Sequence, residues 1–238
     1  MDLRLDGKVA LVTGSSKGIG KGIAEELARS GADVTITYEE DKSGAEETAA
    51  VVREQGRRAL IVQVDVADEA QVDRLYRAHL AEFGRLDILV NNAAIVSHGR
   101  IHEMSTETWR KVMSANLDGA FFCMRAAARQ MIAQGGNGRI IAISSVHEEA
   151  CTDGGGPYAG RATGCRTASA ALAVSLHVST WLPFTGAAQR DTAAFSVSSV
   201  TSRSAASQCR SARPSGRLSP SHIACARSRI FISSSSFI

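Results

Sequence analysis

The stretch Val9-Ala10-Leu11-Val12-Thr13-Gly14-Ser15-Ser16-Lys17-Gly18-Ile19-Gly20 decides the fold. Four consecutive apolar residues are too few for a helix, and their two faces are alike, which predicts a buried parallel strand. The glycines come where a strand must turn into a helix. They permit a tight turn, close backbone approach to a pyrophosphate, and close packing of helix on strand. The helix that opens beyond them presents free N–H groups on which a phosphate can settle.

Outward from this point the same pattern repeats. Short apolar, β-branched runs recur at Val34 to Ile36, Leu60 to Val64, Ile88 to Val90 and Ile140 to Ile143. Between them lie stretches with helical periodicity. Their stripes are Ile19, Ile23, Leu27 and Ala28; Ala45, Thr48, Ala49 and Val52; Val72, Leu75, Leu80 and Phe83; and Trp109, Val112, Met113 and Leu117, continuing through Phe121, Met124 and Ala128. Strand and helix alternating at roughly 25-residue intervals predict an α/β fold, a Rossmann-like doubly wound parallel sheet with helices on both faces. Gly31, Gly56, Gly84 and Gly135 each come after a helical stretch, where a left-handed cap is wanted.

The 238 residues are 44% hydrophobic and 21% charged, a globular composition with room for one sizeable core. No run approaches the ~18 apolar residues of a membrane span. The start, Met1-Asp2-Leu3-Arg4-Leu5-Asp6, is too polar for a secretory signal. Cys123, Cys151, Cys165, Cys209 and Cys225 lack metal-ligand spacing and predict reduced thiols in a cytoplasmic protein with no metal site. His98 and His102 stand four apart but outside a helical pattern, which argues against a zinc pair. His147 fits a surface loop, and Cys123 fits a packing position.

The glycine spacing Gly-xxx-Gly-x-Gly resembles that of the short-chain dehydrogenase/reductase family, and further motifs extend the resemblance. Asn91-Asn92-Ala93-Ala94 looks like the family's Asn-Asn-Ala-Gly, with Ala94 in place of glycine. Asp65-Val66 ends the third strand, Asn116 lies in a long helix, and Ser145 comes just after the fifth strand. Tyr158 comes 13 residues after Ser145, the family's separation. Ile143-Ser144-Ser145-Val146-His147-Glu148 looks most like the glucose 1-dehydrogenase branch, with acyl-carrier-protein reductases close by. The resemblance implies hydride transfer between NADP or NAD and a small alcohol or carbonyl substrate such as a sugar. Gly14, Ser16, Lys17, Gly18, Ile19, Gly20, Asp65, Val66, Asn92 and Ala93 would hold the cofactor. Ser145 would bind the substrate oxygen, Tyr158 would move the proton, and Asn116 would position a water. It also implies homo-oligomers among intact relatives.

One departure bears on activity. A tyrosine with a pKa of about 10 needs a nearby cation to act near neutrality. The family places a lysine four residues on, whereas Tyr158-Ala159-Gly160-Arg161-Ala162 has alanine there. Arg161 is one residue short, about 100° around a helix from that face. Weak or absent cofactor binding and turnover close to nil are therefore expected. On cofactor choice, Lys17 favours a 2′-phosphate and Glu39 and Glu40 favour a free ribose hydroxyl, with a slight lean to NADP.

The motifs delimit a dinucleotide-binding part, residues 1–158, from an atypical Ser/Arg/Ala-rich part, residues 159–238. Residues 1–153 carry 18 Lys+Arg against 23 Asp+Glu, and residues 154–238 carry nine Arg against Asp191 alone. From Ser196 to Ile238 no apolar period persists, so little surface can be buried against an ordering cost of ~1 to 2 kcal/mol per residue. Beyond Tyr158 the residues predict no long helix, no sixth strand, no substrate lid and no seventh strand of the family pattern. Such a composition matches a reading frame shifted between about residue 149 and residue 165. It matches less well a tail that binds nucleic acid, which would want interleaved aromatics, and no membrane partner is expected. The reading from another class is a catalytically inactive dinucleotide-binding or regulatory protein with a basic interacting tail.

Overall fold

The computed structural model describes residues 4–97 and 99–145, and the backbone of 180–182. Strands β1 (Val9–Val12), β2 (Asp33–Tyr38), β3 (Ala59–Gln63), β4 (Ile88–Asn91), β5 (Arg139–Ile143) and β6 (Thr180–Leu182) form one sheet in the order β3-β2-β1-β4-β5-β6. Every pairing is parallel. Helices α1 (Gly18–Arg29), α2 (Lys42–Glu54), α3 (Glu69–Phe83), α4 (Thr106–Met113) and α5 (Gly119–Ala133) make the crossovers. The order reverses direction at β1, so the crevice between β1 and β4 is where a doubly wound fold opens.

The period-two alternation of buried strands sorts the core into two layers. Ala10, Val12, Val34, Ile36, Ile88 and Val90 pack under α1 and α2. Leu11, Leu89 and Ile140 pack under α3 and α5 on the opposite face. The second helical stripe is confirmed residue for residue, since Ala45, Thr48, Ala49 and Val52 are the buried face of α2. The four expected glycine caps all have positive φ.

Three expectations are corrected. The buried face of α1 is Gly20, Ala24 and Ala28, not the Ile19–Ile23–Leu27 stripe. Small residues let this helix lie close on the sheet, and Ile23 and Leu27 pack at its flank. The fourth stripe is not continuous, because a π-helical turn at Ser114–Asp118 separates α4 from α5. One extra residue in a turn rotates the rest of the helix by about 100°. Phe121 accordingly faces out, 45% exposed, beneath the Arg125 guanidinium at 4.7 Å, while Cys123, Met124 and Ala128 turn inward. Finally, a sixth strand exists. Thr180–Leu182 pairs with Ile141–Ile143; three residues are too few for a period to register in the sequence.

Two features hold the lower, amino-terminal edge. Asp87 accepts from Val9 N (3.0 Å) and from both arms of Arg85 (2.8 and 2.6 Å). Burial alone would raise its carboxyl pKa, but these partners and Lys8 hold it below the ordinary value. His79 is fully buried, with Nδ1 2.7 Å from the Thr35 hydroxyl and Nε2 2.9 Å from the Arg85 carbonyl. A carbonyl only accepts, so Nε2 carries the proton and Nδ1 accepts from Thr35.

Burial lowers the His79 pKa from 6.5 to about 4. The unfolded chain therefore binds a proton that the folded chain refuses across this window. Stability should be complete above pH 6.5 and fall towards pH 4, by roughly 3 kcal/mol in all. Urea melts across this range should show the decline, and His79→Gln should flatten it. Leu89→Ala, at a fully buried position, should cost about 3 kcal/mol, read as a lower denaturation midpoint at unchanged slope.

Candidate functional site

Above the carboxyl ends of the strands lies a cleft of about 840 Å3. Its floor is the turn after β1. Gly14 has φ +62, and a Cβ there would lie 2.9 Å from Ala93 Cα. A Cβ on Gly20 would overlap the Gly14 carbonyl oxygen and the Asn92 side-chain nitrogen. Both glycines are thus required by contact with the end of β4.

The contact is hydrogen-bonded throughout. The Thr13 hydroxyl accepts from Asn92 N (2.9 Å) and Ala93 N (3.0 Å). The Asn92 amide donates to the carbonyls of Thr13 (3.0 Å) and Gly14 (2.9 Å). On the other side, Gly14 N donates to the Thr37 hydroxyl (2.9 Å), Thr37 N donates to the Ser15 hydroxyl (3.0 Å), and Thr48 donates to the Ser15 carbonyl (3.0 Å).

Helix capping differs around the cleft. Asp41, Asp68 and Ser105 accept N–H bonds at the starts of α2, α3 and α4. Lys17 stands at that position before α1 and gives no such bond. The first-turn N–H groups of α1 are left to the cleft, where a helix end favours an anion. Ser16, Lys17 and Ile19 line the same wall.

Glu39, Glu40 and Asp41 line the cleft after β2, and Asp65 and Val66 line it after β3. Asp65 is held by Ala67 N donating to its Oδ1 at 2.8 Å. Burial raises the Glu39 pKa, Asp65 and Glu40 raise it further, and Lys111 opposes them. At the far end are Asn92, Ala93, Ile95 and Ser144. Ser145 is buried just beyond β5. Asn116 is fully buried in the π-helical turn, its amide paired with both the N–H and the carbonyl of Ile95 at 2.7 Å. Its side chain therefore positions the chain leaving β4. Tyr158, Arg161, His98 and His147 lie outside the described residues.

Gly14, Ser16, Lys17, Ile19, Asp65, Val66, Asn92 and Ala93 are thus brought together on one cleft, with Gly18 opening α1 and Gly20 beneath. Thr37, Thr48 and Lys111 were not foreseen. The threonines had a signal: hydroxyls in a strand and helix face otherwise wholly buried need partners. Lys111, on a helix past the last cofactor motif, had none. No group of three or more His, Cys, Asp or Glu side chains suited to a metal occurs among the described residues, and no described helix is long and apolar enough to cross a membrane.

An open parallel sheet with a cleft and an uncapped glycine-turn helix at its switch point defines a doubly wound α/β protein of the Rossmann-like class. The comparisons narrow this: the short chain dehydrogenase family profile matches residues 8–179, and the chain belongs to that family. The match runs past Tyr158, where the recognisable motifs end. An uncharacterized oxidoreductase of Escherichia coli K12 is 43% identical over 141 residues, covering 59% of this chain and 56% of that protein. Glucose 1-dehydrogenase 2 of Bacillus subtilis is 40% identical over 146 residues, covering 61% and 57%. A short chain dehydrogenase from Burkholderia cenocepacia, crystallised in complex with NADP, matches with a TM-score of 0.70 at 37% identity, covering 73% of this chain and 70% of that one. The chain thus spans little more than half the length of the first two relatives.

Gly20→Ala should lower stability by about 1 to 3 kcal/mol, since backbone must move to admit the methyl. Gly22→Ala, with open space around it, should raise it by up to about 1 kcal/mol. Thermal melts of the two variants check the pair.

Proposed function

We propose that the chain forms the cofactor-binding part of an NAD(P)-dependent oxidoreductase acting on a small alcohol or carbonyl compound, a sugar being the leading candidate. The observation that carries this is the α1 start, which lacks a side-chain cap and opens over the Gly14–Gly20 cradle. The glycine turn and α1 N–H groups hold the pyrophosphate, and Lys17 adds a positive charge. Asp65 and Val66 take the adenine, and Asn92 and Ala93 form the floor beneath. When bound, the nicotinamide accepts or donates the hydride. Ser145 hydrogen-bonds the substrate oxygen, Tyr158 moves the proton at that oxygen, and Asn116 holds the Ile95 segment in place.

Alanine at 162 leaves Tyr158 without its expected cation, which favours binding without turnover. In this chain the catalytically inactive reading is thus the same molecule minus one charge. A frame shifted between about residue 149 and residue 165 accounts for the Ser/Arg/Ala-rich remainder. A Tyr-x-x-x-Lys or Asn-x-x-x-Pro-Gly segment in another frame of the coding DNA is the expected finding, and its absence from both overturns that account. A cytoplasmic setting agrees with the unpaired, buried Cys123, and homo-oligomers agree with exposed Trp109 and Phe121.

Electrostatics at the adenosine end move the cofactor preference away from the slight lean to NADP. Glu39, Glu40, Asp41 and Asp65 line the cleft with Lys17 and Lys111, four acids against two bases. Burial first, and then the Asp65 and Glu40 carboxylates, oppose ionisation of Glu39, and a 2′-phosphate would add charge of the same sign. NADH should bind tighter than NADPH, and Glu39→Gln should narrow the gap by roughly threefold to tenfold. Fluorescence titration of the full chain with each cofactor measures this. Failure to bind either, in this chain and after its coding region is repaired, overturns the dinucleotide reading. An absorbance assay with glucose and NAD(P) should show turnover close to nil; robust turnover would overturn the weight given to Ala162.

A further inference from the structure

Lys111 is a cleft residue that the glycine-turn chemistry does not use. It belongs to α4 and lines the cleft together with Glu39, which follows β2. Lys21 is engaged with Glu47 and Arg125 with Glu69, whereas Lys17 on the glycine turn lines the cleft as Lys111 does. Lys111 has no carboxylate within ion-pair distance among the described residues. Its charge nevertheless acts on Glu39, countering the effect of burial and of Asp65 and Glu40. Both side chains line the one cleft, together with Asp65 and Val66.

We propose that Lys111 is a specificity-determining residue for the nucleotide, the outer jaw of the adenosine slot. Its aliphatic stem covers the base, and its ammonium reaches over the bound nucleoside towards Glu39. A lysine stem can lie on an apolar surface while its head stays in water. Filling the gap with a base displaces water between the two charges and strengthens their attraction. The jaw thus closes on a ligand and not on an empty cleft. This inference rests on the dinucleotide reading and adds to it a residue acting at the adenosine end alone.

The test is titration of the full chain with NADH and with ADP, which lacks the nicotinamide. Lys111→Gln should weaken both by the same factor, about threefold to fivefold. Lys111→Arg should stay near wild type, and added salt should shrink the difference. The Lys111→Gln and Glu39→Gln effects should be non-additive in the double variant. Equal losses in the Gln and Arg variants, a loss confined to NADH, or strict additivity would each overturn the jaw. So would unchanged binding by Lys111→Gln, in which case the dinucleotide reading survives. A chain that binds neither probe, as it stands and after its coding region is repaired, removes both.

Discussion

The structure depends on one stitch across the switch point of the sheet. The Thr13 hydroxyl takes N–H bonds from Asn92 and Ala93, and the Asn92 amide returns two bonds to Thr13 and Gly14. At this point β1 sends its chain to one face of the sheet and β4 sends its chain to the other. Without cross-links the two lips of the crevice would be free to part. The stitch brings Ala93 backbone against Gly14, and packs the Asn92 amide and the Gly14 carbonyl against Gly20, so that only glycine fits at 14 and 20. A ligand cradle is therefore a by-product of holding the sheet together where its winding reverses.

The long helical arm contributes a second constraint, applied twice. The Asn116 amide pairs with the N–H and carbonyl of Ile95. The Gln134 amide does the same with Leu86, at 3.1 and 2.6 Å. Each side chain imitates one rung of a strand ladder, and together they clasp the segments entering and leaving β4. The π-helical turn falls where Asn116 must point inward. It also accounts for the change of face between buried Val112 and exposed Phe121.

Local chemistry made much of this legible in the sequence. Buried parallel strands are short apolar runs, and four of the five expected ones differ from those found only at their ends. Gly14, Asp65, Asn92 and Ala93 are sequence-local motifs at strand ends, and each falls on the cleft. What was not legible depends on packing partners. The buried face of α1 is set by how near glycine and alanine allow the helix to come, which apolar periodicity does not encode. A π turn changes phase without changing composition. β6 is a strand by virtue of the neighbour it pairs with, and Lys111 reaches the cleft from a helix that carries no cofactor motif.

The opposite edge of the sheet, bolted by Asp87, Arg85 and the Gln134 amide, has a consequence for how such a protein changes over evolutionary time. Folding is secured at one rim by buried charge and paired amides, while Glu39, Glu40 and Lys111 at the other rim are solvent-facing and few. Exchanges among those outer side chains leave the scaffold intact, so ligand preference can drift in single steps without passing through unfoldable intermediates.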